Sequence, residues 1–129
     1  MKKIFVGLLL LIILSANVFA RPVKRIKFAK GAVETIVTGQ LNGFKDAQVY
    51  LINLRAGQTF TIEDVGNNPV TIAVSDPSGK NVDDYDASCH GNFNLPKTKK
   101  GDYRIVITEC KKAEPWKGPF KIKVSATDN

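Results

Sequence analysis

An antiparallel β-sandwich of about eight short strands in a single domain is the fold this sequence predicts, on three observations. After residue 20, apolar residues recur at every second position in short runs. Clusters of Gly, Pro, Asn and Asp punctuate those runs, and helical spacing is not sustained anywhere. Short strands joined by tight turns specify a sandwich or barrel rather than an α/β fold.

Val23, Ile26 and Phe28 mark the first strand, before a Lys30-Gly31 turn, and Val33 to Leu41 the second, which ends at Asn42-Gly43. In the third, Ala47, Val49 and Leu51 alternate with Gln48, Tyr50 and Ile52; with both faces fairly apolar, it is expected to be a central strand covered on two sides. Arg55-Ala56-Gly57-Gln58 makes the next turn. Phe60, Ile62 and Val65 then face one way and Thr59, Thr61 and Glu63 the other, as in a half-buried strand. Val70, Ile72 and Val74 form the fifth strand, which Asp76-Pro77-Ser78-Gly79-Lys80 stops with a strong turn signal. Residues 81–92 are polar and acidic and read as a loop. Phe93 and Leu95 form a brief strand, Tyr103, Ile105 and Ile107 a longer one across the Lys99-Lys100-Gly101-Asp102 turn, and Phe120, Ile122 and Val124 close the domain. The second long irregular stretch is residues 108–119.

The first twenty residues read differently. Met1-Lys2-Lys3 is a positive start, Ile4 to Leu14 an apolar run too short to span a bilayer, and Val18-Phe19-Ala20 a small-residue cleavage site, the pattern of a secretory signal peptide. Cleavage after Ala20 leaves residues 21–129 as one β-sandwich domain, exported to the periplasm or beyond. No cysteine follows the apolar run at the cut, so lipid attachment is not expected, nor is integral membrane association. Of the 19 Lys and Arg, 17 lie in residues 21–129 against 12 Asp and Glu, a net charge of about +5. Export makes Cys89 and Cys110, the only cysteines, a disulfide pair that ties the two irregular stretches together.

Candidate chemistry is sparse. Asp86, Ser88 and His90 contain the residue types of a hydrolytic triad, but on one short stretch they do not reach the geometry of nucleophile, base and orienter. No enzyme activity is expected. Asn81, Asp83, Asp84 and Asp86 offer oxygens to calcium without matching an EF-hand loop, and a solvated acidic loop is the plainer reading. One histidine and two cysteines leave zinc without a fourth ligand unless a carboxylate joins, so neither metal nor cofactor is expected. Lys97, Lys99 and Lys100 crowd one hairpin, and Lys111, Lys112, Lys117, Lys121 and Lys123 bias the last third of the chain towards anionic partners or guard sheet edges. Export, and the lack of aromatics interleaved with these lysines, disfavour nucleic acid. Trp116, in the rigid Glu114-Pro115-Trp116-Lys117-Gly118-Pro119 stretch, is either an exposed anchor or a lid on one end of the sandwich.

The sequence of turns also carries a resemblance. Phe28-Ala29-Lys30-Gly31, Gly39-Gln40-Leu41-Asn42-Gly43-Phe44 and Ala56-Gly57-Gln58, followed by Asp76-Pro77-Ser78-Gly79, His90-Gly91-Asn92-Phe93-Asn94-Leu95-Pro96 and Gly101-Asp102-Tyr103, resemble the bacterial periplasmic inhibitors of g-type lysozyme. The same turns are similar to the wider group of pre-peptidase C-terminal β-sandwich domains. The resemblance spans nearly all of residues 21–129 and implies a sandwich whose loops plug a lysozyme groove, with no catalysis. It places Phe44 at an aromatic position associated with inhibition. It also places Lys111 in a loop where the family carries arginines, and this loop, Glu109 to Trp116, has none. The expected binding surface comprises the loops around Phe44, His90 and Lys111, Lys112 to Trp116, with lysozyme as partner. The alternative is a stand-alone pre-peptidase-like module that binds an anionic envelope polymer or another secreted protein.

Overall fold

A computed structural model describes residues 22–82, 89, 91–112 and 114–129. The expected leader, residues 1–20, lies outside that set. Among the described residues the alternating runs become eight strands: β1 Lys24–Ile26, β2 Glu34–Asn42, β3 Gln48–Leu54, β4 Gln58–Asp64, β5 Val70–Ser75, β6 Asn92–Leu95, β7 Gly101–Glu109 and β8 Lys117–Asp128. Two four-stranded sheets, ordered β1-β3-β7-β5 and β2-β8-β4-β6, form the two layers of a sandwich. Among the described residues all pairings are antiparallel except that of β1 with β3, where Lys24 to Ile26 lie parallel to Tyr50 to Ile52.

The core is built from the inward face of each strand. Tyr50, Ile52 and Leu54 of β3, Ile72 and Val74 of β5, and Tyr103, Ile105 and Ile107 of β7 meet Phe60 and Ile62 of β4 and Phe120, Ile122 and Val124 of β8. Phe60 lies edge-on to both Phe93 and Tyr103, with ring centroids 5.5 and 5.6 Å away. Such edge-to-face contacts add to the stabilisation from burying the rings.

Three local expectations are corrected. In β3 the core face carries Gln48, Tyr50, Ile52 and Leu54, while Val49 and Leu51 are half-buried on the outer face, so the strand is central in its sheet but covered on one side. Val65 does not continue the inward face of β4; the strand ends at Asp64 and Val65 turns out to solvent, its N–H donating to Lys121 O. The irregular stretch expected over residues 108–119 shrinks to 110–116, because β7 runs to Glu109 and β8 begins at Lys117. Pro119 sits inside β8 without a lost ladder bond: its carbonyl accepts from Asn68 Nδ2 at 2.7 Å, so its N faces that loop rather than β2.

Candidate functional site

Strand direction sorts the loops. β2, β4 and β7 run towards one end of the sandwich and β3, β5, β6 and β8 run away from it, so residues 43–47, 65–69, the β5–β6 connection near Cys89 and Gly91, and residues 110–116 share that end with the disulfide.

The β2–β3 turn is shaped by Gly43 and Asp46. Gly43 takes φ +94°, a conformation that L side chains resist. The Asp46 carboxylate spans the turn, accepting the Asn42 N–H at 2.8 Å on Oδ2 and the Ala47 N–H at 2.9 Å on Oδ1. Phe44 sits half-buried at the tip. The turn is joined to the 110–116 loop by the Gly43 N–H, which donates to Trp116 O at 3.1 Å.

The 110–116 loop is anchored from beneath. Glu109, only 1% exposed, accepts the Trp116 N–H on Oε1 at 2.8 Å. The other oxygen of Glu109, and the indole Nε1 of Trp116, are buried without a hydrogen-bond partner among the described residues. Cys110 donates its N–H to Pro69 O at 3.2 Å and is disulfide-bonded to Cys89, whose own N–H donates to Thr71 Oγ1 at 2.8 Å. Next along the chain, Gly91 O accepts the Asp64 N–H at 2.8 Å. Burial holds the Asp64 carboxyl above its ordinary pKa, opposed by hydrogen bonds from the Gly66 and Val70 N–H groups.

The structure therefore brings Phe44, Lys111, Lys112 and Trp116 to one end. Lys111 and Lys112 are exposed, and Trp116 is half-buried, packed against the core as a lid. His90 lies outside the described residues, as do Asp83, Asp84, Asp86 and Ser88 of the acidic loop. Asn81 bridges to Ser75 at the opposite end.

The lysines that the sequence groups together are dispersed over three surfaces. Lys97, Lys99 and Lys100 belong to the opposite end, where Lys99 Nζ reaches buried Asp76 Oδ2 at 3.4 Å. Lys117, Lys121 and Lys123 line the outer face of β8; Lys123 lies 3.9 Å from both Glu34 and Glu63, and Lys117 and Lys121 have no ion pair among the described residues. Sequence reasoning passed over Asp46, Glu109 and Thr71, the residues that hold the loops. For Asp46 a signal existed in its place three residues after a turn glycine, since Asp side chains accept from nearby backbone N–H groups. Glu109 gave none, because its burial depends on how the loop folds back.

No protein-family model matches the chain, and no curated protein matches it in sequence. Solved structures do match in fold. The periplasmic inhibitor of g-type lysozyme PliG from Aeromonas hydrophila is 21% identical, with 81% of this chain and 96% of that chain covered and a TM-score of 0.64. The PliG of Salmonella Typhimurium is 18% identical, with 81% and 97% covered and a TM-score of 0.59. The pre-peptidase C-terminal domain of a Bacillus anthracis collagenase is 17% identical, with 86% and 100% covered and a TM-score of 0.55. The chain thus shares the single-domain β-sandwich fold of the PliG inhibitors and of a pre-peptidase domain.

Proposed function

We propose that this protein is an exported inhibitor of lysozyme, of the g-type first, that acts by seating the disulfide end of the sandwich in the enzyme's substrate groove. The observation that carries the reading is the joining of two loops: the turn bearing Phe44 and the loop bearing Lys111 and Lys112 are tied by the Gly43–Trp116 hydrogen bond and backed by the Cys89–Cys110 bridge. The fold shared with PliG supports it. A glycosidase groove is built around carboxyl groups, so exposed cations on the same end of the sandwich as an aromatic are chemically suited to occupy it. Lysine supplies the charge without the bidentate fork of arginine, which makes the Lys111 contact less directional. Trp116 supports the loop from below.

Lysis of cell-wall suspensions by g-, c- and i-type lysozymes in the presence of residues 21–129 tests the reading. Inhibition of the g-type enzyme at micromolar protein is expected. Phe44→Ala and Lys111→Ala are each expected to weaken it about tenfold, the usual loss for an anchor residue. Absence of inhibition, or a double variant as potent as the wild type, overturns it.

A second reading is favoured by the exposed Lys117 and Lys121 on the outer face of β8: binding of an anionic envelope polymer, as a stand-alone pre-peptidase-like module. Sedimentation with purified anionic envelope polymer, lost on Lys117→Ala/Lys121→Ala and unaffected by Lys111→Ala, distinguishes it.

A further inference from the structure

Among the described residues β2 is the outermost strand of its sheet, paired with β8 on one flank and with no strand on the other. The register tells which of its backbone groups face the open flank. Lys121, opposite Thr38, gives its carbonyl to the Val65 N–H at 2.9 Å, on the side away from β2. In an antiparallel ladder a residue directs its N–H and C=O to the same side, so Thr38 and Lys121 are a non-hydrogen-bonded pair and the Thr38 backbone groups point outward. Alternation gives Ile36 and Glu34 the same outward direction. The opposite phase is fixed independently by the Ala126 N–H, which donates to Val33 O at 2.9 Å. The nine residues of β2 include no Pro, Lys or Arg, the residues that commonly guard a sheet edge.

A groove of about 270 Å³ runs along this flank, walled by Ile36 and Thr38 on one side and by Lys24, Arg25 and Lys27 of the β1 segment on the other. Arg25 is committed to Asp102 through two hydrogen bonds of 2.9 and 3.0 Å. Lys24 and Lys27 have no ion pair among the described residues. Ile36, which lines the groove, is 51% exposed, and the segments that lead into its two walls each carry an exposed valine: Val33 just before β2 at 50% and Val23 just before β1 at 47%.

We propose that this flank is a β-augmentation site for an extended, acidic segment of a partner protein, which adds a strand to β2 through the Ile36 and Thr38 backbone and sets carboxylates against Lys24 and Lys27. The cations decide the occupant. A second copy of the chain, added across a two-fold axis, brings its own Lys24 and Lys27 to the same interface, and like charges oppose that pairing. The surface is separate from the disulfide end and does not depend on the lysozyme reading.

The probe is a fluorescein-labelled octapeptide of alternating threonine and glutamate, followed by polarisation, beside a threonine–lysine counterpart and a version N-methylated at alternate backbone amides. The acidic peptide is expected to bind at least about tenfold more tightly than the lysine peptide, and N-methylation to abolish binding. Thr38→Pro removes one outward N–H without touching the β2–β8 ladder and is expected to weaken binding about tenfold with the thermal midpoint little changed. Should that variant not fold, Lys24→Glu/Lys27→Glu reverses the preference towards the lysine peptide. Equal affinity for the two peptides, binding indifferent to N-methylation, or a homodimer in sedimentation that Thr38→Pro dissolves, each overturns the proposal.

Discussion

Gly39 lies in the middle of β2, and a methyl group there has nowhere to go. A Cβ built on its backbone stands 2.5 Å from Phe120 Cζ, 2.6 Å from Phe120 Cε2 and 2.8 Å from the Tyr50 hydroxyl oxygen. Carbon atoms in contact prefer roughly 3.5–4 Å, so the overlap with the ring is about 1 Å. Neither neighbour can swing into solvent: Phe120 is 1% exposed and Tyr50 2%. The Phe120 ring must shift into a core that is already filled by Phe60, Ile122 and their neighbours. Overpacking of this kind costs about 1–3 kcal/mol. Replacing glycine by alanine also narrows the unfolded ensemble, which returns about 0.4–1 kcal/mol at a position of ordinary backbone conformation. Gly39→Ala is therefore expected to destabilise the fold by about 1 kcal/mol, a fall of roughly 5 °C in the thermal midpoint of a domain this size. Circular dichroism during heating and in urea measures it, and Gly39→Ala/Phe120→Leu, which makes room for the methyl, should recover part of the loss. A midpoint equal to or above the wild type's would show that Gly39 is not kept for packing, and the reasoning fails.

Two further predictions concern the bridge and the carboxylates. Cys89→Ala/Cys110→Ala opens a loop of about 22 residues and should remove about 3 kcal/mol, and inhibition of lysozyme should fall even at temperatures where the variant stays folded; an unchanged midpoint, or two free thiols in the denatured, unreduced wild type, refutes the clamp. Asp76 and Asp102 are both held down to about 2 from an ordinary 3.8. For Asp76 the Ser78 hydroxyl is the main cause, against the opposing effect of burial, with the Lys80 and Ser78 N–H groups and Lys99 adding to it. For Asp102 it is the Arg25 guanidinium, then Asn53. Because the folded form holds these protons less tightly than the unfolded chain, their stabilisation is complete above the ordinary carboxylate range and is lost as the pH falls from about 4 towards 2. Asp64, shifted upward, contributes in the opposite sense, losing stability as the pH rises through its range. Asp76→Asn should flatten the fall of the urea midpoint between pH 4 and 2, and a wild-type midpoint that is level across that interval contradicts the assignment.

Much of the fold was legible because period-two alternation is a local property. Ile72 and Val74, Tyr103, Ile105 and Ile107, and Phe120, Ile122 and Val124 were read as inward faces and are. What failed was decided by neighbours distant in sequence. The faces of β3 look equally apolar in the chain, and only the opposing sheet selects Tyr50 and Ile52 over Val49 and Leu51. Pro119 reads as a strand breaker until Asn68 takes the side on which its missing N–H would have pointed. Gly39 was read within the second strand and lies there, but the reason for a glycine at that point is the ring of Phe120, far along the chain, which needs its space. The disulfide was legible because the expected export gives two cysteines one common fate. The lysine cluster was not, because a count along the chain merges two ends and a sheet face.

The two ends of the sandwich use charge differently, and the difference bears on which of them meets a partner. At the opposite end, carboxylates engage mainly side chains: Arg25 with Asp102 and Arg55 with Asp128 at 3.0 Å, while Asp76 accepts from the Ser78 hydroxyl and Lys99 and, in addition, from the Ser78 and Lys80 N–H groups. At the disulfide end, the described carboxylates of Asp46, Asp64 and Glu109 accept backbone N–H groups, those of Asn42 and Ala47, of Gly66, and of Trp116 respectively. A carboxylate that binds the backbone fixes the path of a loop, whereas one that binds a surface cation mainly holds a side chain. Three such fixings and a disulfide give loops 43–47, 65–69 and 110–116 their shape before any encounter, so less conformational freedom is lost on binding than mobile loops would lose. Lys111 and Lys112 stand on that fixed base with no ion pair among the described residues. Shape set from within, with cations left to the outside, is the arrangement that rigid insertion into an acidic groove requires.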